Sequence, residues 1–230
     1  MEIVQGDLMR IATWNIERLK HKDSIDEMKT LCQDAKPDIM VLTEADSRLH
    51  LDYKNCIETP PAKEIVSSLY KETENRVAIY TDYAVVRQHN TYDRYTALCV
   101  ELETEQGNLL VYGTIMGNFG NREKSYMSDL EKQMEDVRRL SALGNICVAG
   151  DYNCSFSDNY YFVTDGRNLV RNTFEERGIS ILTEMQPQCI DHVAVSDSFV
   201  GNAVVNVSEW NMEKTLSDHK GILTEINWTK

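Results

Sequence analysis

Strong polar residues stand at the ends of five apolar runs that favour β-strands. The set consists of Asn15, Glu44, Asp151 with Asn153, Asp191, and Asp218 with His219. A carboxylate at one strand end is usually a solvated turn residue, but five such cases are harder to dismiss. Because side chains at strand ends can converge on one rim of a sheet, the pattern predicts a single functional site.

The residue types in this set favour a hard divalent cation. Convergent carboxylates repel one another unless a cation neutralises them. Oxygen ligands with few nitrogens and no thiolate cluster suit Mg²⁺ or Mn²⁺ rather than structural zinc. Such a metal polarises phosphoryl oxygens and helps to ionise a water, while Asn and His donate hydrogen bonds to developing negative charge. The chemistry therefore points to hydrolysis of a phosphate ester.

Five short motifs contain these residues, and their sequences resemble those of the endonuclease/exonuclease/phosphatase superfamily. The motifs are Thr13-Trp14-Asn15-Ile16, Pro37-Asp38-Ile39-Met40-Val41-Leu42-Thr43-Glu44, Gly150-Asp151-Tyr152-Asn153, Ile190-Asp191-His192-Val193 and Leu216-Ser217-Asp218-His219. They occur in the family's order and span nearly the whole chain. The resemblance implies an α/β fold: a four-layer sandwich of two mixed β-sheets packed face to face, with helices on the outside.

The resemblance also implies a metal site for Mg²⁺ (or Mn²⁺). By analogy, Glu44 is the main metal ligand. Asn15 and Asp218 would lie at the same metal, either directly or through water.

The remaining motif residues would carry out the catalysis. Asp151 would position or deprotonate the attacking water, and Asn153 would hold the phosphate. His219 would bind the scissile phosphate, oriented by Asp191, although this pair is also an alternative general base. His192 follows Asp191 directly, so the two-residue period of a strand predicts that it points the other way and packs.

One segment departs from the family pattern. Many phosphatase-like members carry Thr-His-Leu after the central hairpin, where the His contacts phosphate, but residues 112–118 here read Tyr-Gly-Thr-Ile-Met-Gly-Asn. Tyr112, Asn118 and Arg122 are candidate substrate contacts, with turn and helix-start roles as the favoured alternative. A second, milder change places Tyr152 where the family has Phe.

The charge balance bears on the substrate. The chain has a formal net charge of −13, and tight non-specific binding to nucleic acid needs many Lys and Arg residues. Four basic residues near loops, Arg76, Arg87, Arg94 and Lys124, could form a local positive patch, but a solvated surface is the favoured interpretation for each. A small phosphoester or a nucleic-acid end is therefore at least as good a substrate prediction as DNA. A nuclease or AP endonuclease-like enzyme stays as an alternative, and an inactive binding module is a distant second because the motif residues are intact.

The rest of the composition predicts a cytoplasmic enzyme built as a single domain over residues 1–230. Six scattered cysteines without Cys-x-x-Cys spacing read as small buried hydrophobes. No signal peptide or membrane span is expected from the sequence. We also expect a monomer, and no protein partner is inferred.

The predicted elements mix hairpins with single helices, which favours two packed mixed sheets over a run of βαβ units. A helix is expected after the caps Asp23 and Ser24, ending before Pro37. Further helices are predicted at 62–70, 122–142 and 168–177. Strands are predicted at 9–16, 39–42, 76–86, 95–104, 108–116, 146–150, 179–184, 189–195, 201–208 and 220–227.

Overall fold

Two six-stranded β-sheets form the centre of the molecule. The computed structural model describes residues 7–21, 24–118, 120 and 123–228. Sheet 1 contains, in spatial order, β11 (Val204–Trp210), β12 (Gly221–Trp228), β1 (Asp7–Asn15), β2 (Ile39–Thr43), β4 (Val77–Thr81) and β3 (Asn55–Glu58). Sheet 2 contains β5 (Ala84–His89), β6 (Ala97–Thr104), β7 (Gly107–Ile115), β8 (Ile146–Asp151), β10 (Asp191–Ser196) and β9 (Ile179–Ile181).

Helices cover the outer faces of both sheets. The α-helices are α1 (Ile25–Asp34), α2 (Tyr126–Ser141), α3 (Thr164–Glu176) and α4 (Asp197–Val200), and short 3₁₀ turns span Glu17–Leu19 and Ala62–Glu64. Buried residues of α1 pack on sheet 1, and those of α2 and α3 pack on sheet 2. The four-layer α/β sandwich is therefore confirmed. Within the described residues, no helix is both long and apolar enough to cross a membrane.

The core has three layers of apolar contact, which explains why several strands are apolar on both faces. The central cluster joins the facing sides of the two sheets, with Ile11, Val41 and Ile79 of sheet 1 against Val111 and Val193 of sheet 2. The two outer clusters lie between a sheet and its helices. Strands buried on both faces leave few places for polar side chains except their ends.

Strand register brings the ends of the motif strands to one rim. β1 and β2 run parallel, with Asn15 opposite Thr43. In sheet 2, Asp191 at the start of β10 lies opposite Asp151 at the end of β8. The bend before Asp151 requires Gly150, which has φ +139°, and a Cβ there would lie 2.0 Å from the Thr114 carbonyl oxygen.

Several predicted elements need correction. The helix predicted at 62–70 is only a 3₁₀ turn over Ala62–Glu64. Ala62 and Tyr70 are buried, but Ile65 and Leu69 between them are 41% and 51% exposed, so little tertiary packing supports a longer helix. The strand predicted at 76–86 is two strands in different sheets, β4 and β5. The prediction also missed β3 and α4 and started α3 four residues late. The expected cap Asp23 lies outside the described residues, and Ser24 makes no side-chain cap hydrogen bond.

Candidate active site

A hydrogen-bonded network joins the two sheets at the rim. Asp191 accepts two hydrogen bonds: one from the Asn15 backbone N–H at 3.1 Å, and one from His219 Nδ1 at 2.5 Å. The Asn15 side-chain Nδ2 donates to Asp151 Oδ2 at 3.2 Å. Asn15 of sheet 1 is thus held between two carboxylates of sheet 2, and these four predicted residues are in direct contact.

The loop before β12 is held so that His219 faces this network. Ser217 Oγ donates to the Asn15 carbonyl oxygen at 2.6 Å and accepts from the His219 backbone N–H at 3.2 Å. The indole N–H of Trp14 donates to the His219 carbonyl oxygen at 3.1 Å, and Asn211 Nδ2 donates to the same oxygen at 2.7 Å. The His219 backbone is therefore held at its N–H by Ser217 and at its carbonyl oxygen by Trp14 and Asn211.

Asp151 and Asn153 form a tight turn after β8. The Asn153 backbone N–H donates to Asp151 Oδ1 at 2.8 Å, and Asn153 Nδ2 donates to the Met116 carbonyl oxygen at 3.0 Å. Asn153 has φ +49°, in the left-handed region that Asn tolerates better than most residues. The turn places the Asn153 side chain beside the cleft and Asp151 at its base.

The surroundings of His219 and Asp151 raise the pKa of both side chains. Burial by itself lowers the pKa of His219, but the Asp191 carboxylate and its hydrogen bond outweigh that and raise it to about 10. Burial raises the pKa of Asp151 to about 7, with the nearby Asp191 carboxylate adding to the rise and His219 opposing it. The rim therefore combines a stable imidazolium with a carboxyl group that is costly to ionise.

Glu44 lies on the other side of the cleft, at a backbone φ of +43°. Arg18 Nε is 3.4 Å from Glu44 Oε2, and Arg18 Nη1 is 4.0 Å from Glu74 Oε2. Asp218 has a side chain 69% exposed, with Oδ1 3.6 Å from His219 Nε2. The structure thus keeps Glu44 and Asp218 on different sides of His219.

The donor chemistry fits a hard divalent cation at Glu44. Glu44 presents carboxylate oxygens to the cleft, and the Asn15 amide oxygen accepts from the Glu17 N–H at 2.9 Å with a lone pair to spare. Burial, with the Asp191 carboxylate adding to it, raises the pKa of Asp151, so a nearby cation would stabilise its ionised form. Across the described ranges, no three Asp, Glu, His or Cys side chains are arranged around one metal position. A cation here would therefore take part of its coordination from water or substrate oxygens.

The cleft has two lobes that share Asn153 and His219. The lobe on the Glu44 side, called the metal lobe below, has a volume of about 210 Å³. Its lining residues are Arg18, Glu44, Leu69, Tyr70, Arg76, Ile115, Asn118, Asp151, Asn153 and His219. The second lobe, also about 210 Å³, lies on the Asp218 side and is walled by Tyr160, Tyr161 and Lys214.

The candidate substrate contacts have three different placements. Asn118 lines the metal lobe. Tyr112 is fully buried between sheet 2 and the outer helices, so it does not reach the cleft. Arg122 lies outside the described residues. His192 is buried in the same outer layer as Tyr112, as the strand alternation predicts.

Sequence reasoning missed Arg18 and Tyr70 and interpreted Arg76 as surface. Arg76 is only 4% exposed, and its guanidinium donates to Tyr70 Oη at 2.6 Å and to the Asn118 carbonyl oxygen. The position of Arg18 three residues after Asn15 was the available signal. Arg87 and Arg94 do lie at the surface, next to Glu101 and Tyr95.

The structure combines a two-sheet sandwich with an acidic rim that carries a histidine–aspartate pair. The sequence model described as "Endonuclease/Exonuclease/phosphatase family" matches residues 12–219. The chain belongs to this family.

Solved structures with the same fold have low sequence identity to this chain. An endonuclease/exonuclease/phosphatase from Beutenbergia cavernae is 15% identical, with a TM-score of 0.67, 96% of this chain and 71% of that chain covered. The AP endonuclease LMAP from Leishmania major is 15% identical, with a TM-score of 0.69 and coverage of 96% and 88%. Truncated TDP2 from Caenorhabditis elegans is 14% identical, with a TM-score of 0.66 and coverage of 98% and 100%. No curated protein matches this chain.

Proposed function

We propose that this protein is a divalent-metal-dependent phosphoesterase that hydrolyses a phosphate mono- or diester by in-line attack of water. The observation that carries the proposal is the pairing of His219 with Asp191 at 2.5 Å, linked through Asn15 to Asp151. An imidazolium with a pKa of about 10 stays charged at neutral pH and so stabilises the negative charge that develops on a phosphoryl group. Family membership supports the same reaction class.

The residues on the His219 side would bind the phosphate and place the water. His219 donates to a non-bridging phosphoryl oxygen, and Asp191 holds the ring in the orientation for that contact. Asn153 contacts the phosphate from the adjacent wall shared by the two lobes. Asp151, with a pKa of about 7, is suited to accept a proton from water near neutral pH.

Mg²⁺ (or Mn²⁺) is the proposed cofactor, held chiefly by Glu44, with Asn15 and Asp218 contributing directly or through water. When bound, the cation would supply positive charge to the phosphoryl oxygens and to the leaving oxygen.

A nuclease or AP endonuclease-like activity on DNA is the second candidate. It is favoured by the similarity in fold to an AP endonuclease that covers 96% of this chain. A small phosphoester or a nucleic-acid end is the first candidate, since a net charge of −13 opposes extended contact with a phosphate backbone.

The test is a hydrolysis panel with Mg²⁺ or Mn²⁺: bis(p-nitrophenyl) phosphate, inositol phosphates and abasic DNA. Glu44→Gln and His219→Ala are the inactivating variants, and we expect each to lower kcat/KM by at least about a hundredfold. Arg138→Met is the matched control, because Arg138 pairs with Glu176 on the outer helices. No turnover on any substrate, or undiminished turnover in both variants, would contradict the proposal.

A further inference from the structure

We propose that Arg18 is a phosphate-contacting residue of the metal lobe, and that its guanidinium competes with the divalent cation for Glu44. This inference rests on the proposed phosphoesterase function and adds a substrate contact to it. None of the family motifs described above includes Arg18.

The polar contacts of the Arg18 guanidinium within the described residues are long. Its distances are 3.4 Å to Glu44 Oε2, 4.0 Å to Glu74 Oε2 and 3.4 Å to the Leu69 carbonyl oxygen. A charge-assisted N–H···O bond is normally about 2.7–2.9 Å. Arg18 Nε is also buried without a hydrogen-bond partner by the usual distance and angle criteria. The guanidinium is therefore near two carboxylates but bound tightly by neither.

The Arg18 backbone N–H donates to the Glu44 carbonyl oxygen at 2.9 Å, and its guanidinium lies over an aromatic ring. Its guanidinium carbon lies 5.4 Å from the centroid of the Tyr70 ring. Tyr70 is itself 7% exposed, and its hydroxyl accepts from Arg76 Nη1 at 2.6 Å. A guanidinium stacked on an aromatic ring directs its N–H groups outward along its own plane, where two of them can donate hydrogen bonds to one phosphate.

The backbone of Arg18 has the same unusual conformation as recognised site residues. Ten non-glycine residues in the described part of the chain have positive φ, and four of them line the metal lobe: Arg18 (+55°), Glu44 (+43°), Asn118 (+56°) and Asn153 (+49°). Such conformations cost about 1–3 kcal/mol each and cluster where the surrounding structure serves a function. Long side chains such as Arg gain nothing locally from this conformation, unlike Asn.

The metal lobe also lacks the phosphate-contacting histidine found in many phosphatase-like members. Ile115 at the end of β7 lines the lobe and is 2% exposed, with no polar group to offer. Arg18 lies in the wall of the same lobe and supplies positive charge there. Arg76 and His219 line this lobe as well, and in a chain of net charge −13 the Arg18 guanidinium adds to the local positive charge that attracts an anion.

The decisive variant is Arg18→Gly, because Gly accepts a φ of +55° and so removes the guanidinium without adding strain. Two calorimetric titrations measure the effect of this variant. In the first, Mn²⁺ is titrated into the protein; in the second, inorganic phosphate is titrated into protein saturated with Mg²⁺. We expect Mn²⁺ to bind about fivefold tighter, since Glu44 loses a competitor, and phosphate to bind about tenfold weaker, both within the usual range of coupling between sites. Arg18→Lys, which keeps the charge but not the fork, should retain part of the phosphate affinity.

Arg138→Met controls for loss of one positive charge far from the cleft, and it should leave both affinities unchanged. A purely structural role for Arg18 would change the unfolding temperature and neither affinity. Unchanged phosphate affinity, or unchanged Mn²⁺ affinity, in Arg18→Gly would overturn the proposal. Both titrations measure binding and not turnover. If the wild-type protein hydrolyses no ester, that result contradicts the proposed function but does not decide the role of Arg18.

Discussion

Asp191 and His192 are neighbours on β10, and the strand turns them toward opposite layers of the molecule. Asp191 faces the rim between the sheets and accepts a hydrogen bond from His219 Nδ1 at 2.5 Å. His192 faces the helical layer, where its ring centroid lies 5.3 Å from that of Tyr152 and 5.0 Å from that of Phe156. The rim and this aromatic layer thus contain one histidine each, His219 and His192.

The two histidines differ in charge because of one carboxylate. Burial lowers the pKa of His192 to about 4, and its hydrogen bonds to the Cys154 carbonyl and Thr183 hydroxyl only partly oppose this. Burial also lowers the pKa of His219, yet Asp191 raises it to about 10. Burial alone therefore gives a neutral packing residue, whereas burial beside a carboxylate gives an imidazolium suited to bind phosphate.

The largest expected effect comes from removing the Asp191 carboxylate, which lies beside His219 at the rim. Asp191→Asn should lower kcat/KM for the best phosphoester by on the order of a thousandfold, because His219 loses both its charge partner and its orientation. The pKa of His219 should fall from about 10 toward that of His192, as NMR titration of the ring protons would show. Asp129→Asn, on α2, is the control and should leave both measurements unchanged. A His219 pKa that stays near 10 in Asp191→Asn would show that another group holds the charge.

The next effect should appear in stability and not in catalysis. His192→Ala removes a fully buried ring between two aromatic side chains and should lower the free energy of unfolding by about 3 kcal/mol. The folded fraction should keep its kcat/KM within about threefold, since the ring points away from the cleft. Urea unfolding and steady-state kinetics on the same sample give the two values. Leu143→Ala, at a residue 58% exposed, is the stability control, and a large catalytic loss in His192→Ala would remove the distinction between the regions.

Acid should destabilise the aromatic layer through His192. Its pKa of about 4 in the folded protein is below the unfolded value near 6.5, so the unfolded state binds more protons between these values. Stability from this group is full above pH 6.5 and is lost as pH falls through 4, by up to about 3 kcal/mol. Unfolding free energies of wild type and His192→Gln at pH 6.5, 5.5 and 4.5 isolate the contribution. Parallel pH profiles in the two proteins would contradict it.

The last expected effect concerns Asp151 at the rim, where stability falls as pH rises instead of as pH falls. The pKa of Asp151 is raised to about 7 in the fold, so ionising this carboxyl costs stability as pH rises from about 4 through 7. With EDTA present, Asp151→Asn should therefore be nearly as stable as wild type at pH 4 and more stable at pH 8, by up to about 4 kcal/mol, at the expense of activity. Thermal unfolding at both pH values is the measurement. An equal change at both would show that packing, not charge, is responsible.

Much of the candidate site was accessible to sequence reasoning because its residues interrupt apolar strands. Asn15, Asp151, Asp191 and His219 are in direct contact, as their positions at strand ends led us to expect. Tyr112 could not be judged in the same way, since one residue of register decides whether it faces the cleft or the helices. The prediction of a helix at 62–70 failed for a similar reason, because only tertiary packing decides whether its apolar residues are buried.

The position of Arg18 and the separation of Glu44 from Asp218 depend on contacts far apart in the chain. Arg18 stacks on Tyr70, which in turn binds Arg76, and no local pattern links these positions. Glu44 and Asp218 belong to one motif set in sequence, yet they line different lobes of the cleft, which share His219.

The sequence by itself determined the family, the order of the strands' polar ends and the reaction class they suit. The family follows from the resemblance of five motifs, and the strand ends follow from a local rule: apolar runs form strands, and charged groups are tolerated mainly where strands end. The tertiary structure alone decided which histidine is charged, because a pKa depends on the few ångströms around the ring. His192 is fully buried and the His219 side chain is only 12% exposed, and the Asp191 carboxylate lies against His219.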